Sequence, residues 1–383
     1  MIQIHEITEW SELSSLRLAW KLLLARTRGA TFFHSWEWLN TFAAHFGDDV
    51  RPRIVVASFD GETLGILPLV VKAERNRLGT FRALTYPLDD WGNFYGPIGR
   101  DQTLILRAGL QHIANTPRNF DVINLCWVPK ERHDRGRTRT AMQAAGFQAH
   151  QRREASSAFI DLQATWEDYW ASRSSKWRNN VRRSERKLSE AGEVAYVHYR
   201  PRGKAFDDAD PKWDLYEACE RIAESSWQSQ SSTGTTLSHP QIRDFVRDMH
   251  ETAVNAGGLD LHLLYVNDRP AAFAYNYHYR GVISGLRTGF DPNISRDGAG
   301  TVLMYRSIQT AYEWGDETLD MGADYLDCKN NWLTSTVAAY AYSHFPLAVP
   351  TAQLVRLKRI WEARRERKLA AKEMRTATET PGT

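Results

Sequence analysis

The sequence predicts an α+β protein, layered in α/β fashion, built from two tandem units that each carry a mixed, mostly antiparallel sheet flanked by helices. Three observations carry this prediction. The chain has 383 residues, more than one ordinary domain needs, so two domains of about 150 to 200 residues are expected. Its composition, 42% hydrophobic and 25% charged, is that of a globular protein. A pattern of helix, helix, hairpin, loop, helix and strand occurs twice, at nearly constant separation.

In the first copy, apolar spacing predicts a helix in "WSELSSLRLAWKLLLAR", then the hexapeptide "GATFFH" (Gly29 to His34), then a second helix in "WEWLNTFAAHF". A hairpin follows, with "RIVVASF" and "TLGILPLVV" joined at Asp60-Gly61-Glu62. The loop "WGNFYGPIGRD" then leads into a helix pattern and the strand Asp121 to Trp127. The second copy runs through "DLYEACERIAESSW", "GTTLSH" (Gly234 to His239) and "QIRDFVRDMHETAV". Its hairpin is "LHLLYV" and "PAAFAYNYHY" around Asn267, its loop "FDPNISRDGAG", and its last strand Glu317 to Ala323. The boundary is expected near residues 160 to 170, giving domains of 1–165 and 166–350 with a basic helical tail over 351–383.

Net charge of +3 demands no nucleic-acid partner. Cys126, Cys219 and Cys328 form neither a disulfide framework nor a zinc-ligand grouping, and no metal is expected. The opening "MIQIHEITEW" lacks the features of a leader, and the apolar run Leu64 to Val71 is far short of the ~20 residues a membrane span requires. These features predict a cytoplasmic protein without a transmembrane segment.

The stretch "SRDGAGTVLMYRSI" (Ser295 to Ile308) places two glycines where a loop becomes a helix. Thr301, Met304, Tyr305, Ile308 and Tyr312 recur at helical spacing, and Gly315 is placed to stop the helix. A helix N-terminus offers unpaired N–H donors, and glycines allow an anion close to the backbone. A tight turn with a cap accounts for the same residues.

With its strand context, this loop resembles the acyl-CoA loop of the GNAT superfamily of N-acyltransferases. The resemblance is to tandem members, the BioF2-like or CelD-like acetyltransferases, related to the FemAB peptidyltransferases. The GNAT loop reads Arg/Gln-x-x-Gly-x-Gly/Ala; here Ser295-Arg296-Asp297-Gly298-Ala299-Gly300 keeps both small positions and puts Ser where Arg or Gln is expected. "FHSWEWLNTF", "KWRNNVRRSERKL", "RPAAFAYNY", and Asp320-Met321-Gly322 followed by Lys329 and Trp332 extend the resemblance to about Pro346. It implies an acyltransferase using acetyl-CoA or another acyl-CoA, bound at Ser295 to Thr301. The first copy has Pro97 and Asp101 in the equivalent "YGPIGRD", and is expected to be degenerate as a donor site.

Acyl transfer to an amine needs a base, a stabilised oxyanion and an acid for the leaving group. "GADYLDCKNNW" (Gly322 to Trp332) offers Lys329 for the oxyanion, Tyr325 as the acid, and Asp324 or Asp327 as the base. His278 and Arg287, on the strands before the loop, are candidate substrate contacts facing a central cleft. So are Trp177, Arg178 and Arg182 on a helix whose basic residues, Arg173 to Lys187, oppose the single Glu185. That helix suits an anionic substrate, tRNA, a peripheral membrane surface or the protein's own carboxylates. The resemblance implies an amino-sugar or envelope-precursor acceptor; the alternatives are a FemAB-like aminoacyl-tRNA-dependent transferase and a non-enzymatic nucleic-acid-binding module.

Overall fold

The computed structural model describes residues 2–76, 79–88, 91–226, 236–294 and 298–378. The N-terminal half contains β1 (Gln3–Ile7), α1 (Arg17–Leu24), α2 (Trp36–Phe46), β2 (Val50–Phe59), β3 (Glu62–Asn76), β4 (Gly79–Thr85), β5 (Ile98–Gly99), α3 (Gln102–Asn115), β6 (Val122–Pro129), α4 (Arg137–Ala144) and β7 (His150–Asp161). Two helices, α5 (Trp166–Ser172) and α6 (Ser175–Ala191), lead to the C-terminal half. That half contains β8 (Val194–Tyr199), α7 (Trp213–Ser225), α8 (Arg243–Ala256), β9 (Leu259–Val266), β10 (Arg269–Tyr279), β11 (Val282–Phe290), α9 (Ala299–Glu313), β12 (Thr318–Ala323), α10 (Leu326–Lys329) and β13 (Ser335–His344). The tail is α11 (Pro350–Thr378).

Local chemistry explains the expected elements. Ser35 caps α2 by accepting from Trp38 N at 3.0 Å, and Ser174 caps α6 by accepting from Trp177 N at 3.2 Å. Both expected hairpins close on two left-handed residues, Asp60-Gly61 (φ 50°, 79°) and Asn267-Asp268 (φ 50°, 60°). That turn suits the twist of the paired strands.

All the strands form one sheet, ordered β1-β2-β3-β4-β6-β13-β7-β12-β11-β10-β9-β8, with β5 beside β3. Every pairing is antiparallel except β4 with β6 and β11 with β12. These two parallel ladders are short: Ala83↔Val122 and Leu84↔Ile123 in one, Val282↔Thr318 to Ser284↔Asp320 in the other. Beyond them the strands part, leaving one cleft in each half.

The strands that fill the middle are exchanged. β13, from the end of the chain, pairs with β6 and β7, while β7, from the first half, pairs with β12. Residue 165 therefore follows a strand whose ladder partners both belong to residues 166–350. The halves also share an aromatic core: the Phe32 and Tyr277 rings lie 4.7 Å apart, Trp38 and Phe245 5.8 Å. Phe32 and Phe33 belong to "GATFFH"; of its counterpart, Gly234 and Thr235 lie outside the described residues, and Leu237 is buried in the same core.

The first turns of α11 are docked through Ala352, Val355 and Arg359, which donates to Ser343 Oγ at 2.6 Å. Leu354, Leu357 and Trp361 on the same helix are exposed. Among the described residues no helix is long and apolar enough to cross a membrane.

Because β13 lies between β6 and β7, a chain ending at Leu333 should lose the fold of both halves. Near-UV circular dichroism and limited proteolysis test this. A protected, folded N-terminal half in the truncated chain would contradict it.

Candidate active site

The polypeptide leaves β11 at Phe290, turns, and enters α9 at Gly298, whose φ of 106° suits glycine. Gly298 has no side chain to cap the first N–H groups of α9, and among the described residues no side chain caps them. The two glycines have different surroundings. A Cβ on Gly298 would lie 2.4 Å from Ser184 Oγ, because α6 packs against this turn. Among the described residues a Cβ on Gly300 would touch only Phe290 Cδ1, at 3.6 Å, so that face is open to them. Ala299 is buried under the helix and Thr301 is half-buried beside it. Ser295, Arg296 and Asp297 lie outside the described residues.

Where β11 and β12 part, the two backbones nearly touch. A Cβ on Gly285 would meet Asp320 O at 2.7 Å, and Gly322 is left-handed at φ 83°. The point of separation is thus set by a glycine on each strand.

Asp320 lies there, 3% exposed. Burial lifts its carboxyl to about 7, against the hydrogen bond from Gly322 N at 2.9 Å and the fields of Lys329 and Arg132, which pull it down. Arg132 comes from the other half, from the π-helical turn Lys130–Asp134; it stacks 4.6 Å over Phe159 and donates to Thr318 Oγ1 at 3.2 Å. A carboxyl near 7 in a cleft can accept a proton from an amine at neutral pH. In the sequence Asp320 stands out only as part of Asp320-Met321-Gly322, with no role of its own; the signal that could have found its chemistry is its place at the last rung of the β11–β12 ladder, opposite Ser284 and ahead of Lys329.

Lys329 Nζ donates to the carbonyl oxygens of Gly322 (2.9 Å), Ala323 (3.2 Å) and Asp324 (2.9 Å). Its three protons pin the turn after β12, in which Asp324 and Tyr325 are both left-handed (φ 57°, 49°). Burial lowers its own proton affinity, partly restored by Asp320. Tyr325, Asp324, Asp327 and Cys328 sit on the exposed side of that turn, with Cys328 Sγ donating to Tyr325 O.

The remaining predicted residues are dispersed. Arg178 donates to Ala171 O (2.7 Å) and Arg173 O, closing the start of its own helix. Trp177 packs edge-on against Trp332 at 5.2 Å, while Arg182 is exposed and donates to Asn179 Oδ1. Arg287 lies 4.2 Å over Trp91, on the face toward the N-terminal half. His278 lies on the opposite face of the sheet and at the other end of the strand pair, with its Nε2 3.0 Å from Asp316. These two do not share a site.

Among the described residues one group has the spacing of metal ligands, His198, Asp260 and His262. Asp260 accepts from Arg200 Nε (2.9 Å) and Asn276 Nδ2 (2.9 Å) and contacts His198 and His262 (2.9 and 3.0 Å). Its oxygens are already saturated, and the guanidinium beside them opposes a cation. The group is a buried polar network that joins β8, β9 and α9.

Residues 175–330 match the GNAT acetyltransferase domain family. They contain the two parting strands, the glycine turn and Asp320. FemX is similar over 92% of this chain and 99% of its own, at 11% identity and a TM-score of 0.62. Residues 175–330 are thus similar to a GNAT acetyltransferase domain, and the chain as a whole shares the fold of FemX. The same fold occurs in the C-terminal domain of a putative lysylphosphatidylglycerol synthetase from Agrobacterium fabrum (10% identity, 89% of this chain and 96% of that one, TM-score 0.56). It occurs also in L-PGS from Bacillus licheniformis (12% identity, 93% and 98%, TM-score 0.54). No curated protein sequence is significantly similar to it.

The Asp320 carboxyl has a directly measurable effect on stability. Its proton is held more tightly folded than unfolded, so the folded state loses stability as pH rises from about 4 to about 7, and the penalty is constant above. Asp320→Asn should remove a penalty on the order of 2–4 kcal/mol at pH 8 and little at pH 4. Melting temperatures of both proteins across that range check it; parallel curves would show an ordinary carboxyl.

Proposed function

We propose that the protein transfers an acyl group, acetyl in the first instance, from acyl-CoA to an amine. The observations that carry this reading are the glycine face at the start of α9, open to the described residues, and the buried carboxyl near 7 on β12, the strand that follows that helix. The open N–H groups of α9 suit a pyrophosphate, and α6, packed against the turn through Ser184, presents Lys176, Arg182, Arg183 and Arg186 to solvent nearby.

In this reading the amine nitrogen bonds to the thioester carbonyl and the C–S bond breaks. Asp320 takes the amine proton, in the role the sequence assigned to Asp324 or Asp327. Tyr325, at the rim of the turn, supplies a proton to the thiolate. Lys329 positions: it fixes the carbonyls of 322–324 and holds the field on Asp320. The acceptor is taken to be an amino sugar or another envelope precursor, on resemblance to the BioF2-like and CelD-like families, and the place of action the cytoplasm, where acyl-CoA is made.

The second reading, transfer from aminoacyl-tRNA as in FemAB relatives, is favoured by the exposed cations of α6. Donor titration separates the two. Gly300→Val should weaken acetyl-CoA binding at least tenfold in calorimetry with the melting temperature unchanged, because among the described residues a Cβ there makes only an ordinary 3.6 Å contact with Phe290. Wild-type protein that binds aminoacyl-tRNA and not acetyl-CoA would select the second reading.

Turnover should rise with pH through about 7 as Asp320 ionises. Lys329→Ala should lower kcat more than donor affinity and move that rise to higher pH, since a neighbouring cation is lost. An unmoved pH profile would separate Lys329 from Asp320.

A further inference from the structure

The N-terminal half has its own cleft, where β4 and β6 part, and a half-open cavity of about 30 Å³ lies beside it. By position it is the counterpart of the donor cleft: it adjoins the first residue of α3, Gln102, behind the loop Tyr95-Gly96-Pro97. It is not a second donor cradle, because Asp101 closes that helix start by accepting from Leu104 N at 3.0 Å. What the cavity offers is side chains.

Most of its walls are tied. Arg137 donates to Gln102 Oε1 (2.8 Å) and Asp134 O (2.9 Å), Gln102 Nε2 donates to Pro97 O (3.1 Å), and Asp134 accepts from Thr138 N (2.9 Å) and Gly136 N (3.0 Å). Two buried polar atoms on lining residues are left without partners among the described residues, the Tyr95 hydroxyl and His133 Nδ1. Tyr95 is 2% exposed and is held by stacking on His34, 4.6 Å between parallel rings. A buried hydroxyl kept in place with nothing to bond marks a missing partner. Arg28 stands at the mouth, exposed, with no ion-pair partner among the described residues.

The charge around the cavity is positive. Burial holds His133 neutral, down to about 4, and Arg132, Arg28, Arg137 and Arg135 push the same way; burial likewise takes His34 to about 3. Arg28 and Arg137 face a single lining carboxylate, Asp134, which is already committed. The volume exceeds that of one water.

We propose that this cavity is an oxyanion-binding site, taking a phosphate or carboxylate group between Tyr95, His133 and Arg28. The site does not depend on the acyl-donor reading. It is connected to the catalytic cleft by one turn, since Arg132 bonds Thr318 on β12 while the next residue, His133, lines the cavity and covers Gly29. A molecule anchored here by an anionic group would be a ligand of the N-terminal half, separate from the donor on α9.

The test is calorimetry and thermal shift on the full chain with inorganic phosphate, and separately with acetate, in a buffer free of both. Saturable binding of either ion is expected, and the two arms tell phosphate from carboxylate. Tyr95→Phe and Arg28→Ala should each weaken it about tenfold without lowering the ligand-free melting temperature, as loss of a charge-assisted or buried hydrogen bond predicts. Gly300→Val should leave it unchanged. No saturable binding of either ion, meaning a merely hydrated cavity, would overturn the proposal. So would phosphate binding lost in Gly300→Val and kept in Tyr95→Phe, which would place the ion on α9.

Discussion

The pairing of β7 with β13 is the constraint on which the rest of the structure depends. Each half parts its two parallel strands to make a cleft, and a parted strand presents unpaired backbone groups on the side it has left. The exchange holds each parted strand by its other edge, away from the opening: β13 runs beside β6, β7 runs beside β12, and the two exchanged strands pair from Ser335↔Phe159 to Ser343↔His150. The strands that open are thereby anchored at the centre of the sheet, and each half is incomplete alone. A single half cannot adopt this arrangement, because its own last strand is occupied elsewhere.

The same exchange produces the electrostatics of the site. β12 is covered by β7 on one edge, and the turn after β6 brings Arg132 over Phe159 and onto Thr318. Asp320 is thereby removed from water by residues of the other half. Desolvation dominates over the two nearby cations because neither is placed to satisfy the carboxylate directly, while both are themselves partly desolvated. A carboxyl near 7 is thus a consequence of how the halves join, and the protonation of Asp320 reports on that junction as well as on the cleft.

The legible parts of the fold were those with local causes. Asp60-Gly61 and Asn267 declared their hairpins, and Gly298 marked the start of α9, because each depends on a few neighbouring residues. The exchanged strands were not legible. "RREASSAFID" and "STVAAYAYSH" are buried on both faces in part, so neither shows a clean alternation, and their partners lie up to about two hundred residues away in the chain. The site divided in the same way. The glycine turn announced itself, whereas Asp320 acquires its character only from Gly285, Lys329 and Arg132, which folding assembles. Arg178 and His278 looked available in sequence because their partners, two backbone carbonyls and Asp316, are invisible until the chain is folded.

Duplication supplied two equivalent clefts, and the residues at the two helix starts sent them in different directions. In the second half Gly298 has no side chain to cap the N–H groups of α9, and among the described residues Gly300, in the first turn of the helix, meets only Phe290. In the first half Asp101 occupies the same place, accepts the helix N–H itself, and puts a negative charge where an anion would have to lie. Polar side chains then gather deeper in that cleft, on Tyr95, His133 and Arg137, and the turn carrying His133 also carries the arginine that reaches β12. On the proposed reading, an acyltransferase needs two molecules held at different places, and a fold with one backbone cradle and one side-chain pocket would meet that need without a further domain. The asymmetry that this reading turns on is local: a glycine at one helix start and a capping aspartate, Asp101, at the other.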